Sequence, residues 1–198
     1  MTDTINDDFL KSKLSVFVSS TNDTVQVKNK IGNFEVVASM EDIGQSKKEK
    51  IVFLFSGDEN PAPISKAVKN TLAFLDQKNK PFFLMVEGAK IDSYSHSNNI
   101  GGVIDASIAF DQVSAEALKF ADITENTLII ITTNHETGGL PLPQGNLKTS
   151  EIEGDFTTDD HTGIMVLVFS YGPKSDIFRG VYENNVLFIK MVNALNVK

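Results

Sequence analysis

The chain has three histidines, and each stands close to a carboxylate: His96 comes four residues after Asp92, His135 directly precedes Glu136, and His161 directly follows Asp159 and Asp160. Glu87 stands before the first of these groups, and Asn134 stands beside the second histidine. Imidazole nitrogens and carboxylate oxygens are ligands that zinc accepts, at about 2.0 to 2.2 Å. With no cysteine in the chain, any zinc here must be held by histidine and carboxylate. One histidine alone is most often an ordinary polar residue. Three of them, each beside a carboxylate, point jointly to a metal centre.

Other chemistries fit less well. Neither Gly101-Gly102 nor Gly138-Gly139 falls in a phosphate-cradling GxxxxGK[ST] pattern, so both read as turns. Phe82, Phe83, Phe110 and Phe120 read as core. Asp159 and Asp160 read as a solvated pair of loop carboxylates. A formal charge of -8 and a pI near 4.9 argue against nucleic-acid binding, which needs concentrated Lys and Arg. That acidity suits a protein that holds cations. The start of the chain, MTDTINDDFLKSK, has no apolar core of the kind a signal peptide needs. No apolar run approaches the roughly 20 residues that span a bilayer.

The elements that must position these groups follow from hydrophobic periodicity. Residues 1–12 are polar. The stretch 13–38 alternates in the manner of short strands, with Leu14, Val16 and Val18, then Val25 and Val27, then Phe34 and Val36. After a charged cluster at 47–50, residues 51–55 form a short apolar run and 57–63 a loop. Ile64, Val68, Leu72, Phe74 and Leu75 have helical spacing over about 65–77. Residues 82–86, 127–132 and 164–170 are continuous apolar runs, as expected of strands buried on both faces. A helix is expected over 103–120, with Ile104, Ile108, Val113, Ala117 and Phe120 inward, and another over 185–195. The Gly- and Pro-rich stretch 138–154 reads as loop.

Strands and helices alternating with short connections imply an α/β fold with a mainly parallel sheet and helices on both faces, a three-layer α/β/α sandwich. A weakly patterned 1–49 would precede a domain over 50–198. In open α/β sheets, ligands bind beyond the carboxyl ends of the strands. Glu87, Asp92 and His96 follow the run 82–86, and Asn134, His135 and Glu136 follow 127–132.

Three segments carry a family resemblance: Val86-Glu87-Gly88-Ala89-Lys90-Ile91-Asp92 with His96; Thr133-Asn134-His135-Glu136-Thr137-Gly138-Gly139; and Thr157-Thr158-Asp159-Asp160-His161-Thr162-Gly163. In order and interval they resemble three successive motifs of alkaline phosphatases. The background agrees, with FFLMVEG before the first, NTLIIITT before the second and FSYGP after the third. The resemblance covers roughly residues 50–198, and its motif spacing favours alkaline phosphatases over other metallophosphatases and sulfatases.

The resemblance implies a metal-dependent phosphoric monoester hydrolase. Asp92, His96 and His161 would be the ligands of a first zinc, which in the family activates the water that hydrolyses the phosphoenzyme. His135 would be a ligand of a second zinc, and Glu87 a carboxylate of a magnesium site. Asn134 stands where the family has Asp, which keeps an oxygen but gives up the charge that would help hold a divalent ion. The second zinc site is therefore expected to be weak. The family's nucleophilic Ser and an early metal-binding Asp have no counterpart in these motifs. Asp92-Ser93 is followed by Tyr94 rather than a small residue, and Asp58 reads as a loop residue. The chain is thus expected to be a C-terminal portion lacking the serine nucleophile, with low activity alone. The alternative is an inactive zinc-binding remnant or one half of a split enzyme. Expected partners are a phosphate monoester or phosphate, and a second copy or a complementing N-terminal half, but not nucleic acid or a membrane. The compartment stays open, since intact family members are usually periplasmic or secreted.

Overall fold

The computed structural model describes residues 14–20, 34–55 and 64–196. They belong to two compact units, divided between Val86 and Glu87. Val25, Val27, the loop 57–63 and Asp58 lie outside the described residues.

The first unit contains strands β1 (Val16–Ser20), β2 (Glu35–Val36) and β3 (Ile51–Phe55) and helices α1 (Met40–Gln45) and α2 (Ile64–Asp76). The three strands form a parallel sheet in the order β1-β3-β2, with Val16 beside Ile51 and Glu35 on its other side. Ile51, Val52 and Phe53 are all buried, as expected of a central parallel strand covered on both faces. Helix α1 was not expected from apolar spacing. It is started by a capping box, in which the Asp42 backbone N–H donates to Ser39 Oγ and the Ser39 N–H donates to the Asp42 carboxylate. Helix α2 covers the span read from periodicity and buries Ala67, Val68, Leu72 and Phe74. Asn70 donates from Nδ2 to the Met40 carbonyl at 2.8 Å, so a side chain of α2 satisfies a backbone group of α1. Ile43, Ile51, Phe53, Ala67 and Phe74 form the centre of this core, with Val37 and Met40.

The second unit holds helices α3 (Ala89–His96), α4 (Ile100–Thr124) and α5 (Asn184–Leu195), and six short strands. These are β4 (Ile129–Thr132), β5 (Glu136–Thr137), β6 (Gln144–Asn146), β7 (Glu151–Glu153), β8 (His161–Thr162) and β9 (Val168–Tyr171). All their pairings are antiparallel: β4 with β9, β5 with β8, and β6 with β7. The fold is α/β as the sequence indicates, but among the described residues parallel pairing is confined to the first unit. Helix α4 is longer at both ends than periodicity indicated. Asn99 caps its start by accepting from the Gly102 N–H at 3.0 Å, and Glu125 closes it in the left-handed region at φ 55.

Four expectations need correction. Residues 82–86 enter no ladder, and Phe83 and Met85 are 63% and 75% exposed, because no described strand pairs with them. In the run 164–170 only 168–170 joins a ladder, as part of β9, while Ile164, Met165 and Leu167 stay exposed. Ile108, expected to face inward on α4, is 56% exposed, whereas Val113 is buried. An apolar run shows that a segment requires cover, and it does not show which segment supplies it. The stretch 138–154, read as loop, contains the β6–β7 hairpin.

Candidate metal centre

The site is built within the second unit from α3 and the β5–β8 ladder. Gly88 precedes α3, and an added Cβ there would come within 2.8 Å of the Phe110 ring, so the close approach of α3 to α4 requires glycine. Four residues apart on α3, Asp92 and His96 share one face of the helix. The second element is the turn after β4. There β5 pairs with β8 in a register that sets Glu136 opposite Thr162 and Thr137 opposite His161. Gly138 and Gly139 follow with φ of 92 and 52, and a Cβ on Gly138 would press on Phe156.

This arrangement brings Asp92, His96 and His161 together, with one ligand atom of each within 4.8 Å of the others. His96 Nε2 lies 3.2 Å from His161 Nε2 and 3.5 Å from Asp92 Oδ1, and His161 Nε2 lies 4.0 Å from Asp92 Oδ1. Ligands about 2.1 Å from a tetrahedral ion stand about 3.4 Å from one another, so the spacing suits a small divalent cation. Protonation agrees with this. His96 Nδ1 sits 2.6 Å from the Asp159 backbone oxygen. A carbonyl can only accept, so in the neutral ring Nδ1 carries the proton and Nε2 presents a lone pair to the cluster.

His135 stacks on His161, with ring centroids 3.5 Å apart and planes 23° apart, while His96 and His161 are tilted at 44° with centroids 5.0 Å apart. All three histidines therefore converge. Asn134 is exposed and touches the chain through its backbone oxygen, which accepts from Asn184 Nδ2 at 3.1 Å. Glu87 is exposed and lies outside the three-residue cluster.

Four residues support the cluster in ways the sequence does not indicate, and Thr137 among them has no distinguishing mark in the sequence. Glu136 accepts from the Gly139 and Leu140 N–H groups at 3.2 and 3.3 Å and from the Thr162 hydroxyl, tying the glycine turn to β8. Thr137 donates to Asp92 Oδ1 at 2.6 Å. Asp159 and Asp160 are exposed but are more than a solvated pair: the Asp159 carbonyl orients His96, and Asp160 Oδ1 accepts the His161 N–H at 2.8 Å. The available signal was the alternation of an extended chain, which puts His135 and Thr137 on one side and Glu136 on the other.

Comparison with known proteins identifies what the chain resembles. The alkaline phosphatase family model matches residues 11–154, taking in most of the stretch before residue 50 that the motifs alone left aside. The streptomycin-6-phosphate phosphatase of Streptomyces griseus is 34% identical over 59% of this chain and 30% of its own length. The alkaline phosphatase of Escherichia coli K12 is 29% identical over 68% of this chain and 32% of its own. The chain thus spans about a third of the length of these curated relatives. Among solved structures, the alkaline phosphatase of the Antarctic bacterium TAB5 superposes with a TM-score of 0.82 at 30% identity, over 96% of this chain and 63% of that one. A histidine variant of the same enzyme has been solved with magnesium in its M3 site.

Proposed function

The chain belongs to the alkaline phosphatase family, and from that premise we propose that it carries the metal-holding part of a phosphoric monoester hydrolase. Asp92, His96 and His161 would hold a zinc ion, His135 with Asn134 a weaker second one, and Glu87 would contribute to a magnesium site. The observation that carries this reading is the convergence of two imidazole nitrogens and one carboxylate oxygen at 3.2 to 4.0 Å. A three-ligand zinc keeps a position open for water or substrate, whose water it acidifies to a pKa of about 7. The chain's own residues supply orientation. The Asp159 carbonyl fixes the His96 ring, and Asp160 and the β5–β8 ladder fix His161. Asn134 offers an oxygen but no negative charge, which is why the second ion would be held weakly.

The reading includes the absence of the serine nucleophile from this stretch of chain. It is supported by the serines of α3, the helix that carries Asp92 and His96, whose hydroxyls are engaged with the helix backbone. Ser93 donates to the Ala89 carbonyl at 3.0 Å and Ser95 to the Ile91 carbonyl at 2.9 Å. A second reading, a zinc-binding remnant or one half of a split enzyme, is favoured by the uncovered apolar surface of the second unit. Met165, Leu167 and Phe188 are exposed there, and α5 has no buried residue. The test is hydrolysis of an aryl phosphate by the chain with zinc and magnesium added. Little or no turnover is expected, and a zinc-dependent rate like that of an intact relative would overturn the missing-nucleophile reading.

A further inference from the structure

Thr137 is 9% exposed and lies between two proposed ligands of different ions. Its Oγ1 is 2.6 Å from Asp92 Oδ1 and 3.1 Å from His135 Nδ1. A hydroxyl has one proton to give, and an ionised carboxylate can only accept. The Thr137 proton is therefore committed to Asp92, and its oxygen must accept from His135. We infer that Thr137 is a positioning residue that holds His135 in the Nδ1–H form, with Nε2 bare, and at the same time fixes the Asp92 carboxylate.

The consequence follows from imidazole chemistry. A neutral imidazole free in water prefers its proton on Nε2, where it would block that nitrogen as a ligand. The hydrogen-bond chain His135 Nδ1–H to Thr137 Oγ1–H to Asp92 Oδ1 reverses the preference. The hydroxyl cannot easily drift, because Thr137 is paired with His161 in the β5–β8 ladder and is followed by the positive-φ turn at Gly138 and Gly139. One side chain thereby couples a residue proposed for the first zinc to a residue proposed for the second. Losing the hydroxyl should disturb both. The coupling rests on the metal-site reading above, but the protonation state of His135 does not.

The experiment is a long-range proton–nitrogen correlation spectrum of the imidazoles in 15N-labelled, metal-free chain at a pH where the rings are neutral, with His135 assigned by its loss in His135→Gln. The wild-type chain should show His135 as Nδ1–H, Thr137→Ser should preserve that state, and Thr137→Val should move the proton to Nε2. Zinc titration of the same samples should show affinity about 10- to 100-fold weaker in Thr137→Val, restored in Thr137→Ser. A wild-type His135 with its proton on Nε2, or a Thr137→Val variant whose His135 is unchanged, would overturn the inference. The wild-type spectrum alone can do so even if the valine variant does not fold. An Nδ1–H His135 in a chain that takes up no zinc would leave the hydrogen-bond chain standing and overturn the metal-site reading instead.

Discussion

At the scale of single residues, backbone and hydroxyl groups settle what each imidazole can do. His96 owes its bare Nε2 to the Asp159 carbonyl and His135, on the inference above, owes its own to Thr137, so each ring offers a free nitrogen to the proposed ions. The candidate ligands were legible in the sequence because histidine beside carboxylate is a pattern of composition and spacing. Thr137 and Asp159 were not, because a hydroxyl or a carbonyl carries no such mark until the fold sets it against a partner. The same scale gives a pH prediction away from the site. Tyr171 donates to Asp122 Oδ1 at 2.6 Å, and this hydrogen bond, with the Asp122 charge, holds the phenol above its ordinary pKa of 10.0. The neutral phenol is favoured in the folded chain, so its contribution to stability is present below the unfolded value and is lost as pH rises through the raised one. In a spectrophotometric titration of the three tyrosines, one should titrate late, and Asp122→Asn should bring it back towards the usual range. An unchanged late phase in the variant would contradict the assignment.

At the scale of elements, helices were legible and ladders only in part. Periodicity located α2 and α5 closely because their apolar faces repeat within one segment. Helix α1 was missed, although Ser39 and Asp42 at capping-box spacing offered a signal. The β5–β8 pairing, two residues on each strand, sets Glu136 beside Thr162, 26 positions on, and Thr137 beside His161, 24 positions on, and has no local signature. It is nevertheless the element that delivers His161. In the first unit the packing of α1 and α2 on the parallel sheet centres on Phe74, which is fully buried. Phe74→Ala should destabilise that unit by about 3 to 5 kcal/mol through lost burial and the cavity left behind. Chemical denaturation followed by circular dichroism would measure this, and a loss under about 1 kcal/mol would mean that the core is not packed as described.

At the scale of the whole molecule, the α/β class and the family were legible because apolar runs and three spaced motifs survive in the sequence. The cover of those runs was not, since an apolar run records burial without naming its partner. Phe83, Met85 and Leu167 show this by their exposure. No helix among the described residues is long and apolar enough to cross a membrane. The proposed metal centre joins residues far apart in sequence, and elemental analysis of zinc after dialysis shows whether the chain assembles it. About one zinc per chain is expected, lost in His96→Ala and in His161→Ala and largely kept in His135→Ala. A content near zero in the unaltered chain, or equal loss in all three variants, would contradict it.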